Sequence, residues 1–405
     1  MDFVFVANAW AAGAANPTSK HRIAIELARR GHRLLWVDGA GMRTPSLSSG
    51  SDRGRIARRI AGAMRGAVSA KVNSGQRTVN SGQRTVNSGD GTGGVWVVAP
   101  LFLPLPKHAA VRRFNGWVCR VCAGKWARRL GMREPVLVNY VPVLHDAMRG
   151  WSGLKVYHCV DRWDAFAMYD SSVMAAGDEQ CCRLADRIIA SSRDLESRCR
   201  RFNANVRLIT HGVDHAHFSV AVAPGERPHD LPAGQVAGFF GLLSEWVDQD
   251  LLLMAARSLP DAHFVLIGQP DVSVDRLRGA RNIHLLGVRP FSALPAYVAG
   301  FGVGMIPFAV NDLTRAVNPI KLREMLAAGC PVVSTNLPEV APYAGEWVDV
   351  VATADEFVAR IASRLANAPG LAERAAISNS VAGETWAAKV DEMLEWIGET
   401  VKGEQ

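Results

Sequence analysis

At 405 residues, 48% of them hydrophobic and 21% charged, the chain has the length for two cores of ordinary size and the composition of a soluble globular protein. No run of eighteen apolar residues occurs, so a membrane-spanning helix is not expected. The net charge of +8 is uneven: residues 1–215 hold 32 Lys and Arg against 16 Asp and Glu, and residues 216–405 hold 14 against 22. A basic half joined to an acidic half implies an anionic partner for the first half only. The seven cysteines are odd in number and lack zinc spacing. Cys119 with Cys122, and Cys181 with Cys182, sit in helical patterns, as packing thiols do, and a reducing cytoplasm fits.

The first residues, Met-Asp-Phe-Val-Phe-Val-Ala-Asn, carry no basic leader or cleavage site and read as a strand over 2–7. A loop of small residues, Trp10 to Thr18, leads into a helix that begins near Ser19 and stops at Gly31. A second strand runs through Leu34 to Asp38, which completes a βαβ unit and so a parallel sheet. Residues 46–94 break this rhythm. Asn73 to Val79 repeats at once as Asn80 to Val86 and decays at Asn87. Too little apolar surface exists there to offset the entropy of ordering, so the segment is expected to be a mobile insertion.

Two basic amphipathic stretches stand out. Arg55 to Val68 places Ile56, Ile60, Met64 and Val68 at helical spacing among arginines. Residues 107–131 place Val111, Phe114, Trp117 or Val118, and Val121 on one stripe, with Arg112, Arg113, Arg120, Lys125, Arg128 and Arg129 elsewhere. For 107–131 the expectation is an apolar stripe packed on the sheet and a basic face toward anionic lipid headgroups. Nucleic acid is not expected, because the aromatics form no stacking platform.

Apolar strands recur at 95–99, 136–140, 155–159 and 187–190, with helical patterns between them. After a linker over 219–235, rich in Pro and Gly, a new series follows at 236–241, 263–268, 283–286, 301–306 and 331–334. Two doubly wound sheets facing across a cleft are the simplest architecture, with ligand at the carboxyl ends of strands. The expected domains are 1–218, 219–383, and a helix over 384–405 that crosses back onto the first domain through residues such as Trp386 and Trp396.

The most informative segment is Arg315 to Thr335. A polar loop ends in Asn318-Pro319, and a helix then runs through Leu322, Met325 and Leu326 to Gly329, directly before an apolar strand. Proline suits the first turn of a helix, and the unpaired N–H groups of that turn can face an anion such as a diphosphate. Lys321 and Glu324 lie three apart and share a face: a cation for phosphate beside a carboxylate for sugar hydroxyls. The plainer reading is a solvated surface pair.

This wording closely resembles the donor-binding segment of GT-B glycosyltransferases of family 4, which read Asn-Pro-x-Lys-x-x-Glu before Ala-x-Gly-x-Pro-Val-Val. Other segments are similar to the same family. Leu27-Ala-Arg-Arg-Gly-His-Arg33 is like the turn that opens its N-terminal domain. Thr210-His-Gly-Val-Asp-His-Ala-His-Phe218 is like the entry to its second domain, with His211 in the usual Asn position. Phe240-Gly-Leu-Leu-Ser-Glu-Trp-Val-Asp-Gln-Asp-Leu251 is like the pattern found in its polysaccharide-assembly members. Val156-Tyr-His-Cys-Val-Asp-Arg-Trp-Asp-Ala-Phe166 is like an acceptor-side strand and loop, where Asp161 either orients an acceptor hydroxyl or caps the next helix.

The chain also departs from the family. Leu242 and Val247 stand where an Arg and a Lys hold the diphosphate, and Ala316 replaces the first Glu of the Glu-x7-Glu pair. The catalytic His of a His-Asp pair is absent, with Val160 in its place.

The resemblance implies an α/β GT-B fold and a retaining glycosyltransferase. It would move a sugar from a nucleotide-diphosphate donor to a hydroxyl of a glycan or polyprenyl-linked acceptor in surface polysaccharide assembly. Arg315, Lys321, Asn318 and Gly13 are the candidates for the donor diphosphate, Glu324 for the donor ribose, Asp161 for catalysis, and His211, Gly241 and Glu245 for the cleft. No cofactor or metal is expected, although His211, His215 and His217 lie close in sequence. The location implied is cytoplasmic, peripheral to the inner membrane. A nucleotide-sugar epimerase and a degenerate, non-catalytic GT-B scaffold remain open.

Overall fold

The computed structural model describes residues 1–8, 10, 17–39, 42, 68–70, 93–223 and 225–398. Gly13, the basic stretch 55–67, the repeats at 73–89 and most of the 46–94 insertion lie outside the described residues. The chain forms two compact units, Met1–Thr210 with Val390–Gln405, and His211–Lys389. The sequence expects this boundary after 218. It falls earlier because Val213 pairs with Thr385 and donates to the Glu384 carbonyl at 2.8 Å, while Phe218 is fully buried in the core of the second unit.

In the first unit, eight strands run β1 Asp2–Ala7, β2 Arg33–Asp38, β3 Val68–Ala70, β4 Gly94–Val98, β5 Val136–Asn139, β6 Lys155–Cys159, β7 Arg187–Ala190 and β8 Val206–Leu208. Their order is β3-β4-β2-β1-β5-β6-β7-β8, and only β3 is antiparallel to its neighbour. β1 pairs with β2 on one side and with β5 on the other, so the connections change direction there. Phe3 to Ala7 are all fully buried, as a central parallel strand with both faces covered requires. The helix after β1 is Ser19–Arg29.

The helix Ala109–Arg129 is present and its basic residues Arg113, Lys125, Arg128 and Arg129 are exposed, but the expected apolar stripe does not pack inward. Its buried residues are Asn115, Gly116, Cys119, Ala123 and Ala127, and Phe114, Trp117 and Val121 are exposed. The small residues decide this. A Cβ at Gly116 would meet the Asp146 Cβ at 2.5 Å, so only the narrow face fits against the turn Pro142–Ala147. All seven cysteines are free, and Cys119, Cys181 and Cys182 pack in the interior.

The second unit has six parallel strands: β9 Val236–Phe240, β10 His263–Ile267, β11 Ile283–Gly287, β12 Val303–Ile306, β13 Val332–Thr335 and β14 Val348–Val351. Their order is β11-β10-β9-β12-β13-β14. The direction of winding reverses between β9 and β12, and in such sheets the crevice at the carboxyl ends of these two strands is the place for a ligand. The C-terminal helix is Trp386–Gly398, and its residues from Val390 belong to the first unit. Within that unit Asp391 pairs with Arg30 and Glu395 with Arg207. No helix among the described residues is long and apolar enough to cross a membrane.

Candidate functional site

In the second unit the chemistry collects at the β9–β12 reversal. β9 ends at Phe240, and Gly241 follows with φ +152°, a conformation that L side chains rarely adopt. Gly268, after β10, has φ +153°, and a Cβ there would lie 1.7 Å from the Gly241 carbonyl oxygen. The two backbones therefore touch at the carboxyl ends of β9 and β10.

Lys321 lies against the turn that ends β9. Its Nζ lies 4.8 Å from the Phe240 ring centroid, and its Cε would be 3.6 Å from a Cβ at Gly241. The same Nζ donates to Glu324 Oε2 at 2.6 Å, and Glu324 is buried. Lys321, Glu324 and Gly241 are thus brought together by one short helix, Ile320–Ala327, and one strand end. The helix begins one residue later than expected, since Pro319 is extended (φ −76°, ψ 111°) and takes the N-cap place. Arg315 ends the short helix Asp312–Arg315 and is exposed, and its side chain makes no hydrogen bond or ion pair among the described residues.

Asn318 plays a different part from the one expected. It is buried; its Nδ2 donates to Glu339 Oε2 at 3.0 Å, and its Oδ1 accepts from Arg323 Nη1 at 2.8 Å. Its carbonyl meets His211 Nδ1 at 3.0 Å. Arg323 also pairs with Glu384, which accepts from the Tyr343 hydroxyl at 2.6 Å. Asn318 and His211 therefore brace the start of the Lys321 helix from behind, and both the oxygen and the nitrogen of the Asn318 amide are engaged within the protein.

The remaining expected residues fall as follows. Glu245 is exposed and has no hydrogen bond or ion pair among the described residues. Leu242 is 42% exposed, while Val247 is buried and bridges to Phe308. Ala316 is fully buried. His211, His215 and His217 each meet a backbone carbonyl, of Asn318, Ser378 and Phe291 respectively. Among the described residues no group of three or more His, Cys, Asp or Glu side chains is arranged to hold a metal ion.

In the first unit Asp161 follows β6. The helix after it, Ser171–Leu184, is capped by Asp170 through Val173, so the capping role read for Asp161 belongs to Asp170. No hydrogen bond to Asp161 exists among the described residues. Burial pushes its pKa up to about 6, and the charge of Lys20 opposes the rise.

Lys20 was not singled out by sequence. It is buried in the first turn of Ser19–Arg29, with Nζ 5.1 Å from the Trp163 ring and 5.7 Å from the Tyr140 ring. Burial lowers its pKa and Asp161 raises it. A cation in a first helical turn opposes the helix dipole, and that was the one available signal. His21 beside it stacks on Trp36 at 4.8 Å, and burial lowers its pKa to about 4. A desolvated carboxylate coupled to a buried lysine is the kind of perturbed pair that catalytic and binding sites contain, although structural pairs show it too.

Residues 234–367 match the model of the family Glycosyl transferases group 1. A relative in Bacillus subtilis (strain 168) named for teichuronic acid biosynthesis, the glycosyltransferase TuaH, is 28% identical over 227 residues. That match covers 51% of this chain and 57% of the relative, so it spans little more than half of that protein's length. Among solved structures, sucrose-phosphate synthase from Thermosynechococcus elongatus is similar at a TM-score of 0.66 and 13% identity, over 98% of both chains. Anabaena HepE in complex with UDP is similar at a TM-score of 0.62 and 13% identity, over 98% of this chain and 99% of that one. The fold is GT-B, as the sequence resemblance implied.

Proposed function

We propose, from a chain whose residues 234–367 form a Glycosyl transferases group 1 domain, that this protein is a nucleotide-sugar-dependent glycosyltransferase of polysaccharide biosynthesis. The observation that carries the reading is Lys321, held against Gly241 and Phe240 at the β9–β12 reversal and paired with buried Glu324. Structures of HepE hold UDP and UDP-glucose, which supports a nucleoside-diphosphate sugar as the donor class.

In this reading Lys321 turns from Glu324 to the donor diphosphate and, with Arg315 and the N-terminus of Ile320–Ala327, stabilises the charge that develops on the leaving group. Glu324 then accepts hydrogen bonds from ribose hydroxyls. With Leu242 and Val247 in place of two cations, these groups carry the anion chemistry of this unit. Asp161, in the first unit, orients or deprotonates the acceptor hydroxyl.

Transfer with retention, a hexose as the transferred sugar and a polyprenyl-linked glycan acceptor at the cytoplasmic membrane face complete the proposal. They rest on the family-4 wording of 315–335. The test is release of nucleoside diphosphate from UDP-, GDP- or ADP-sugars, with and without polyprenyl-diphosphate glycan acceptors. Acceptor-dependent release is the expected outcome. Donor conversion without acceptor would replace the reading with an epimerase. Binding without turnover would replace it with a scaffold, for which Leu242, Val247 and Ala316 speak.

A further inference from the structure

On the first unit, the helix Ala109–Arg129 and the turn Pro142–Ala147 border a cavity of about 650 Å³, lined by Arg112, Arg113, Trp117, Arg120, Asp146 and Arg149 among others. None of these residues has a part in the donor or acceptor chemistry above. Four guanidinium groups meet one carboxylate, and that carboxylate is already bonded to Arg149 at 2.7 Å. Arg112 donates to the carbonyls of Pro106 (2.8 Å) and Lys107 (3.0 Å), and Arg120 to that of Arg149. Neutral acceptors thus fix these two cations without cancelling their charge. Arg113 is exposed, and its side chain makes no hydrogen bond or ion pair among the described residues. Burial lowers the pKa of neighbouring His145, so its ring adds no charge at neutral pH. The cavity is built for an anion with several oxygens.

Beside it lies the exposed apolar stripe of the same helix. Phe114, Trp117 and Val121, spaced three and four apart, are 46%, 51% and 46% exposed. Leu101, Leu103 and Leu105 are exposed as well. Asn115 staples their loop to the helix, accepting from the Leu103 N–H and donating to the Leu103 carbonyl, both at 2.9 Å. Exposed leucines, two aromatics in contact (ring centroids 5.9 Å apart) and a cluster of uncancelled arginines therefore adjoin on one helix and its leading loop. Lys125, Arg128 and Arg129 extend the exposed basic surface along the helix.

We propose that this face docks on an anionic phospholipid bilayer. Phe114, Trp117, Val121 and the leucines of 101–105 enter the boundary between headgroups and acyl chains, and the arginine cavity seats a lipid phosphate. Charge complementarity selects the partner: the cavity offers phosphate-matching forks, and the rim beside it is apolar rather than polar. The proposal deepens the membrane-face part of the proposed function, on which it rests for its biological setting, and does not depend on the donor site.

The test is vesicle flotation of the full chain, with phosphatidylcholine alone and with added phosphatidylglycerol, at low and high salt and with inorganic phosphate as competitor. Flotation with the anionic vesicles only, weakened by salt, is the expected result. Arg113→Ala and Arg120→Ala should each weaken it roughly fivefold. Phe114→Ser with Trp117→Ser should weaken it while the charge is unchanged. The Arg113 side chain has no bond among the described residues, so its variant keeps the test sound if Arg120→Ala disturbs the fold, which circular dichroism would report. Failure of the wild type to float, or equal flotation of all variants, would overturn the proposal. So would saturable binding of inorganic phosphate without vesicle binding, which would make the cavity a soluble-anion site. Nucleotide-sugar titrations of the same variants should match the wild type, so failure here leaves the donor reading standing.

Discussion

Asp161 and Lys20 illustrate how far a single pair can be read. Burial raises the Asp161 pKa to about 6, and Lys20 restrains the rise. An ionised Asp161 is thus present above about pH 6 and is lost as pH falls through it. If Asp161 handles the acceptor proton, kcat/KM should fall on the acid side with a midpoint near 6, and Asp161→Asn should remove that limb. Lys20→Met should move the midpoint upward, because the restraining charge is gone. A profile with the same acid limb in Asp161→Asn would exclude the role. Behind the Lys321 helix, fully buried Arg323 links Asn318 to Glu384. Arg323→Ala leaves carboxylate and amide partners without their donor and should cost roughly 3–5 kcal/mol, read as a lower unfolding midpoint. A loss under about 1 kcal/mol would show the network to be slack.

At the scale of elements, the strands were the most legible part. Runs such as Phe3 to Ala7 and Val236 to Phe240 are buried on both faces, so they are apolar without alternation and end at turns. β3, β8 and β14 were not read, because Ser69, Arg207 and Asp349 interrupt the short apolar run in each. Helix Ala109–Arg129 shows a sharper limit. Its large apolar residues form a stripe at helical spacing, yet periodicity cannot tell which stripe faces inward. The small face of Gly116, Cys119, Ala123 and Ala127 allowed closer packing and took the interior. The Lys321–Glu324 juxtaposition was legible from i, i+3 spacing, but the inward turn of Asn318 was not, because its partners Glu339 and Arg323 are set by the fold. The contact of Gly268 with Gly241 gives a further prediction. Gly268→Ala would drive a methyl to 1.7 Å from a carbonyl oxygen at φ +153°, so it should destabilise the second unit and abolish donor binding together. Retained binding with unchanged thermal stability would contradict the cradle described for β9.

For the whole molecule, the uneven charge and the two units give separate expectations. The second unit, His211–Lys389, is continuous in sequence and has its own core from Val213 to Val381. It also holds Gly241, Arg315, Lys321 and Glu324. A fragment spanning 211–389 should therefore fold and bind a nucleoside diphosphate, as measured by its thermal shift with UDP, GDP and ADP. A folded fragment with no shift, from a full chain that does shift, would place essential contacts in the first unit. The most direct measurement of the central claim is calorimetric titration of UDP-, GDP- and ADP-sugars into the full chain and into Lys321→Ala and Glu324→Ala. Saturable binding of at least one donor, weakened about tenfold or more in Lys321→Ala as loss of a charge-assisted contact requires, is the predicted result. No binding of any donor, or binding that is equal in wild type and both variants, would contradict the account.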